Sequence, residues 1–177
     1  MLPGRHNLEN ILAAICAVKT YGCENEAIVR VLTSFQGVEH RLQFVREWEG
    51  RKFYNDSKAT NILATQKAIA AFRESLILIA GGLDRGNHFD ALVPSLRNVK
   101  ILIAYGETKE KLKEAGQEAG IQTVITVSNL TEAVKNAVTH SKAGDIILLS
   151  PACASWDQFK TFEERGRMFV QLVNTLV

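Results

Sequence analysis

The sequence predicts an α/β fold, a doubly wound, mostly parallel sheet (Rossmann-like) with a β-hairpin near its start, preceded by a short helical remnant. Runs such as Leu76–Ala80 and Ile101–Tyr105 are apolar on both faces, which is typical of parallel strands covered by helices on either side. These runs alternate with helical patterns. Polar clusters follow Asn55, Ala80 and Leu149, at the carboxyl ends of predicted strands, where such sheets bind ligands.

Composition narrows the class of protein. The 177 residues are 46% hydrophobic and 23% charged, which is typical of a globular domain with a full core. A formal charge of +2 is too small to indicate nucleic-acid binding. No apolar run reaches the length of a membrane-spanning helix. Cys16, Cys23 and Cys153 lack metal-site spacing. We expect a cytoplasmic monomer without a nucleic-acid or membrane partner and without a metal held by its own ligands.

Two helices are predicted first. Apolar residues recur at helical spacing from Leu8 to Ile15 and again from Ile28 to Phe35, after a break at Gly22. Asn7 is placed as the N-cap of the first helix. A helical pair this short lacks a core of its own, so we expect it to pack against something else. We therefore divide the chain into a helical segment, 1–36, and an α/β domain, 37–177.

The α/β domain begins with a hairpin, because Leu42–Trp48 and Lys52–Asn55 flank the turn residues Glu49-Gly50. Helices are then predicted where apolar residues lie three and four apart, and strands where short apolar runs occur. In chain order these are helix Ile62–Phe72, strand Leu76–Ala80, helix Phe89–Leu96, strand Ile101–Tyr105, helix Lys109–Ala119, strand Thr123–Val127, helix Leu130–Val138, strand Asp145–Leu149 and helix Phe162–Leu176.

The segment from Tyr54 to Asn61 is the strongest candidate for a ligand site. It joins a strand to a helix, and a helix start carries free N–H groups and a partial positive charge that favour anions. Asp56 is suited to sugar hydroxyls, and Ser57 and Thr60 to an anion. Helix capping is the alternative, but it does not require Lys58, which we expect in the first turn, where a cation opposes the helix dipole.

The loop after Ala80 is a second candidate. Gly81 and Gly86 reproduce the glycine spacing of a phosphate-binding loop, but Asn87-His88 stands where that motif requires Lys-Ser or Lys-Thr. A tight strand-to-helix turn explains the glycines equally well. Arg85 is suited to a two-pronged contact with a carboxylate.

The third candidate is the loop that follows the last strand, from Ser150 to Phe159. Its small residues allow a close approach to a ligand, and Ser155 offers a hydroxyl. Cys153 has no basic partner in sequence, so we interpret it as a buried structural cysteine rather than a nucleophile. Phe162 is expected in the core or in a pocket wall.

These segments resemble the Mur ligases, the ATP-dependent amide-forming enzymes of peptidoglycan synthesis. The matching motifs span essentially the whole chain, and the Ser-Pro-Ala-Cys-Ala-Ser stretch resembles that of the D-glutamate-adding members. In order they are His6-Asn7-x-x-Asn10-x-Leu12-Ala13-Ala14, His40-Arg41, Asn55-Asp56-Ser57-Lys58-Ala59-Thr60-Asn61 and Ser150-Pro151-Ala152-Cys153-Ala154-Ser155-x-Asp157-Gln158-Phe159.

The resemblance implies that the chain is the end of a central ATPase domain followed by a complete C-terminal domain. It implies ATP as a substrate, with Asn7 and Asn10 near the adenine, Arg41 near the phosphates and Asp56 near the ribose. Lys58 is implied to be catalytic, neutralising charge on the transferred phosphoryl group. Mg²⁺ is implied as a cofactor, with its ligands mostly outside this chain.

The resemblance also implies a D-glutamate pocket and the second substrate, UDP-N-acetylmuramoyl-L-alanine. The residues implied to line the pocket are Thr60, Arg85, Ser155, Trp156 and Phe162. Arg85 departs from relatives that carry lysine there. Two alternatives stay open: a module that binds a nucleotide or a partner by itself, and a related ligase that adds another amino acid.

Overall fold

The computed structural model describes residues 4–35 and 37–177. Residues 1–3 and 36 of the predicted helical segment, and the side chain of His6, lie outside the described part. The helices and strands are α1 (Arg5–Thr20), α2 (Asn25–Ser34), β1 (Gln43–Trp48), β2 (Arg51–Asn55), α3 (Ile62–Ile69), β3 (Leu76–Gly81), a 3₁₀ turn (Asp90–Leu92), α4 (Val93–Leu96), β4 (Val99–Tyr105), α5 (Lys109–Glu118), β5 (Thr123–Thr126), α6 (Leu130–His140), β6 (Ile146–Leu149) and α7 (Phe162–Asn174).

The strands form one six-stranded sheet in the order β1-β2-β6-β3-β4-β5. β1 pairs antiparallel with β2, and the other neighbours pair in parallel. The last strand, β6, therefore inserts between β2 and β3. This order places the loops after β2, β6 and β3 side by side at one edge of the sheet.

Successive residues of a strand point to opposite sides of the sheet, so the apolar strands present an apolar surface on both faces. Helices cover both of these faces. Leu76, Leu78 and Ala80 pack on one side in a core with residues of α3, α4 and α5. Ile77 and Ile79 pack on the other side with residues of α6 and α7. The predicted α/β fold with a mostly parallel sheet and an early hairpin is confirmed.

The hairpin turn is formed by Glu49 and Gly50, both with positive φ (47° and 73°). Two consecutive residues of positive φ are typical of the type I′ turn, whose twist matches that of the flanking strands.

Three local expectations differ from the structure. The predicted helix Phe89–Leu96 is a 3₁₀ turn followed by the single-turn helix α4. Asn7 is not an N-cap, since α1 begins at Arg5, after Gly4, whose φ is 94°. Lys58 is not in the first turn of a helix, because α3 starts at Ile62.

The helices α1 and α2 contribute little to the core. α2 has no buried residue, and the side chains of Leu8, Leu12, Val29 and Val31 are each more than half exposed. No helix in residues 4–35 or 37–177 is both long and apolar enough to cross a membrane.

Candidate functional site

The loop after β2 is held in place by backbone hydrogen bonds. The Asp56 amide donates to Leu149 O at 2.8 Å, which extends the pairing of β2 with β6. The Lys58 amide donates to His40 O at 3.1 Å, and the Ala59 amide donates to Asp56 O at 2.8 Å. The position of Lys58 is therefore tied to both the sheet and the segment before β1.

The N-cap of α3 is Asn61. Its side-chain oxygen accepts a hydrogen bond from the Ala64 amide at 2.9 Å. The side chains of Asp56, Lys58 and Thr60 therefore do not cap α3. Ser57, by contrast, is fully buried and donates to Phe162 O at 2.7 Å, so it holds α7 rather than an anion.

A cavity of about 530 Å³ lies beside this loop and α3. It brings together six of the site residues predicted from sequence: Asn7, Arg41, Asp56, Lys58, Thr60 and Phe162. The face of α3 that carries Ala64, Lys67 and Ala68 forms one of its walls. Residues from α1, the segment before β1, the loop after β2 and the start of α7 thus meet around one space.

The charge around this cavity is mainly positive. Arg41, Lys58 and Lys67 line it, against the single carboxylate of Asp56. The Lys58 ammonium lies 4.5 Å from the centre of the Phe162 ring, a cation–π contact. The cavity is therefore suited to a ligand that carries several negative charges.

Asp56 is buried and bonded within the protein. Its carboxylate accepts hydrogen bonds from the Leu42 amide at 3.2 Å and from the Ser150 hydroxyl at 2.8 Å. Burial raises the pKa of Asp56 from 3.8 to about 6, although these two bonds and the nearby Arg41 oppose the shift. Each carboxylate oxygen has a second lone pair, so Asp56 can still accept a bond from a ligand.

His40 is buried at the back of the loop. Its Nδ1 lies 3.0 Å from the Asn55 amide nitrogen, which can only donate, so His40 is neutral and carries its proton on Nε2. Burial lowers the pKa of His40. The ring packs edge-on against Phe162, with 6.0 Å between ring centroids.

Arg165 is a residue of this region that the sequence did not reveal. It is fully buried, and its guanidinium donates to the Ser57 hydroxyl (3.0 Å), the Ser57 carbonyl (2.9 Å) and the Cys153 carbonyl (3.1 Å). It therefore links the loops after β2 and β6 from α7. In sequence it stands within a run of charged residues, so no local signal distinguishes it.

Arg85, Trp156 and Ser155 do not line the 530 Å³ cavity. The Arg85 guanidinium lies 5.3 Å from the centre of the Trp156 ring, and that ring is largely exposed. Ser155 is buried, and its hydroxyl has no hydrogen-bond partner among the described residues. These residues lie on the neighbouring loops after β3 and β6, which the sheet order places beside the loop after β2.

The glycines after β3 serve close packing between loops. A Cβ on Gly81 would collide with Tyr105 O, and one on Gly82 would collide with Ala154 O. The Gly81 amide donates to Pro151 O at 2.9 Å, so it is occupied within the protein. The tight-turn interpretation of these glycines therefore fits better than the phosphate-loop interpretation.

Cys153 is fully buried, and burial raises the pKa of its thiol to about 11. A thiol with this pKa is protonated at neutral pH and is a poor nucleophile. The burial and the raised pKa therefore support the interpretation of Cys153 as a structural cysteine.

Asn10 lies at a second cavity, of about 490 Å³, between α1 and α2. Asn7 and Arg41 line both cavities, so the two spaces adjoin. The walls of the second cavity are mostly apolar, formed by residues such as Ile11, Ile28 and Phe35. An apolar space with amides at its rim is suited to a flat heterocycle or to apolar side chains.

Among the described residues, no group of three or more His, Cys, Asp or Glu side chains could hold a metal ion. The described residues therefore offer no metal site built from protein ligands alone, and Mg²⁺ usually binds through one or two carboxylates together with water and substrate phosphates.

Comparisons with known proteins identify the family to which this fold belongs. Residues 40–153 match the family described as Mur ligase, glutamate ligase domain. The chain is 62% identical, over 99% of its length, to the UDP-N-acetylmuramoylalanine--D-glutamate ligase of Bacillus subtilis, and 58% identical, over its whole length, to the same ligase of Bacillus thuringiensis. It spans 39% of the length of each of these relatives.

A solved structure shows the same fold at much lower sequence identity. The MurC ligase of Thermotoga maritima, a UDP-N-acetylmuramate-alanine ligase, is 17% identical to this chain and superposes with a TM-score of 0.72. The match covers 98% of this chain and 39% of that protein. With the family match over most of the chain and 62% identity to a curated relative, the chain belongs to the Mur ligase family.

Proposed function

We propose that this chain is the C-terminal part of an ATP-dependent ligase that joins D-glutamate to UDP-N-acetylmuramoyl-L-alanine. The observation that carries the proposal is the cavity lined by Arg41, Lys58 and Lys67, beside a buried carboxylate at the carboxyl end of β2. Such a space suits the polyphosphate of ATP and an acyl phosphate. The names of the Bacillus relatives support the choice of substrates.

The proposed reaction has two steps. The carboxylate of the L-alanyl group attacks the terminal phosphorus of ATP, so ADP leaves and an acyl phosphate forms. The amine of D-glutamate then attacks the acyl carbon, and the tetrahedral intermediate collapses to the amide with loss of phosphate. The amine loses its proton to a base, which we place outside this chain. Positioning and stabilisation of charge supply most of the catalysis in such reactions.

In this proposal the residues divide by the ligand that they contact. Asn7 and Asn10 bind on the adenine side, Arg41 binds the phosphates, and Asp56 binds the ribose. Lys58 stabilises the charge of the transferred phosphoryl group from its place against Phe162.

The D-glutamate pocket would extend from the cavity across the neighbouring loops. Thr60 and Phe162 line the cavity, and Ser155, Trp156 and Arg85 continue along the loops after β6 and β3. Arg85 would bind a carboxylate of D-glutamate.

We further propose that residues 1–36 are the end of a central domain and that residues 37–177 are the C-terminal domain. The exposed apolar side chains of α1 and α2 support this division, because they require a partner surface.

Mg²⁺ supplies charge neutralisation when it accompanies ATP, and we place its ligands outside this chain. Because ATP is a substrate, we place the enzyme in the cytoplasm. Its monomeric state stays a prediction.

Lys58→Ala tests the proposal in a chimeric ligase, made by exchanging the matching part of the Bacillus subtilis relative for this chain. We expect turnover to fall by about a hundred-fold or more, because a preorganised charge that stabilises the transition state is lost. The measurement is phosphate release that depends on D-glutamate.

The matched control for this experiment is Lys135→Ala, which removes an exposed lysine from α6, on the opposite face of the sheet from α3. It should leave turnover unchanged. Turnover by Lys58→Ala at the level of this control would remove Lys58 from the mechanism.

A further inference from the structure

Lys67 was not among the residues that the sequence singled out, yet it lines the cavity. It lies six residues beyond the N-cap Asn61, which places its Cα about 9 Å along the α3 axis. Long side chains on a helix lean toward the helix N-terminus. This tendency favours a position of the Lys67 ammonium toward the end of α3 where the loop with Lys58 lies.

The local packing holds this wall of the cavity in place. Ala68 and Ile69, the next two residues of α3, are buried in the core. At the N-terminus of α3, the Asn61 cap fixes the first turn through the Ala64 amide. The direction in which Lys67 projects is thus set by a capped and packed helix rather than by a loose loop.

The ammonium of Lys67 forms no ion pair with any carboxylate of the described residues. No ion pair joins Lys67, Lys58 or Arg41 to a carboxylate in residues 4–35 and 37–177. The Asp56 carboxylate is already bonded to Leu42 and Ser150. Three cations therefore surround one space with a single, internally bonded carboxylate between them.

We infer that Lys67 is an additional binding residue for the polyphosphate chain of the nucleotide, acting with Arg41 and Lys58 as a third cation. This inference rests on the proposed function, because it presumes a nucleotide in the cavity. Three cations from separate elements contact an extended chain of phosphates better than one phosphate group. The contribution of Lys67 therefore grows from AMP to ADP to ATP.

The test is a titration of the 177-residue chain with ATP, ADP and AMP at an ionic strength of about 50 mM. Binding is monitored through the backbone amide shifts in NMR spectra, which give the dissociation constant of each nucleotide. We expect Lys67→Met to weaken ATP binding about five-fold, the upper range for one exposed ion pair, and to change AMP binding less than about two-fold. Lys67→Arg keeps the charge and should stay within about two-fold of the wild type for ATP.

The matched control is Lys135→Met, which removes one exposed lysine from α6, on the opposite face of the sheet. Equal ATP affinity in the two methionine variants would overturn the role of Lys67 while leaving the proposed nucleotide site in place. An equal loss for AMP and ATP would also overturn it. If the wild-type chain shows no amide shifts at the cavity with any of the three nucleotides, the inference that three cations of this chain hold the polyphosphate is wrong, whereas the proposed function is decided separately by Lys58→Ala in the chimeric ligase.

Discussion

At the scale of single residues, Asp56 is a carboxylate whose burial costs stability. Its pKa in the folded chain, about 6, lies above its ordinary value of 3.8, mainly because of burial. The folded state therefore binds the proton more tightly than the unfolded state. The stability that this proton contributes is present below pH 3.8 and is lost as the pH rises through 6. A shift of this size corresponds to roughly 3 kcal/mol.

Asp56→Asn should therefore raise the melting temperature at pH 7.5, with a gain that shrinks toward zero near pH 4. Asparagine can still accept the hydrogen bond from the Leu42 amide, and its NH₂ can donate to the Ser150 hydroxyl. That hydroxyl can then turn to Thr65 Oγ1, which lies 3.1 Å away. The measurement is thermal unfolding followed by circular dichroism from pH 4 to pH 8.

The control for this prediction is Asp90→Asn, at an exposed position. It should not change the melting temperature in a pH-dependent way. If Asp56→Asn matches the wild type at every pH, the carboxyl group ionises near its ordinary pKa and the argument from burial is wrong. A gain at pH 7.5 would indicate that the carboxylate is kept for a reason other than stability, such as the ribose contact proposed above.

At the scale of secondary-structure elements, α7 fixes the loop that carries Lys58. Arg165 binds Ser57, and the neighbouring Gly166 lies against the ring of His40. The carbonyl of His40 in turn accepts the hydrogen bond of the Lys58 amide. A chain of contacts therefore runs from α7 through His40 to the backbone of Lys58.

Gly166→Ala should disturb this chain of contacts. The added Cβ would collide with His40 Nδ1, so the ring must move and the Lys58 loop must move with it. We expect overpacking to lower the free energy of unfolding by about 1–3 kcal/mol. The higher helix propensity of alanine should offset up to about 1 kcal/mol of this decrease. Urea unfolding measures the loss, and the amide shift of Lys58 reports the displacement.

The comparison for this prediction is Gly116→Ala, also within a helix. There the added Cβ would meet the side-chain end of Leu102 at 2.9 Å and of Val124 at 3.1 Å, both of which can adjust. Gly116→Ala should lower the free energy of unfolding without shifting the Lys58 amide. An unchanged Lys58 amide in Gly166→Ala would show that His40 does not transmit the packing of α7.

At the scale of the whole molecule, the chain spans 39% of the length of its Bacillus relatives, and its second cavity lies between two helices with exposed apolar side chains. We expect the isolated chain to form no amide product and the chimeric ligase described above to form it, because the base and the remaining substrate contacts are proposed to lie outside this chain. The measurement is the amide product, detected by mass spectrometry. Product from the isolated chain would contradict the proposed division of the site.

Much of the architecture could be predicted from sequence, because it follows from local patterns. The runs around Leu78, Ile103 and Leu148 predict buried strands. The polar clusters after Asn55, Ala80 and Leu149 predict which strand ends carry the candidate loops. The helix Phe89–Leu96 was only partly right, since the segment forms a 3₁₀ turn and a single helical turn. The sequence does not single out the capping residue of α3, because several residues in that segment are able to cap.

Local sequence patterns are sufficient to predict the alternation of strands and helices, the hairpin at Glu49-Gly50 and the loops that carry Lys58 and Ser155. These depend on periodicity and turn chemistry over a few residues. Three contacts become apparent only in the folded chain. Arg165 binds Ser57 across 108 positions, and Lys67 lines one cavity with Arg41 and Lys58. Arg85 lies over the ring of Trp156, outside the lining of that cavity. The physical reason is that insertion of β6 between β2 and β3 sets which side chains meet, and no local pattern encodes such long-range contacts.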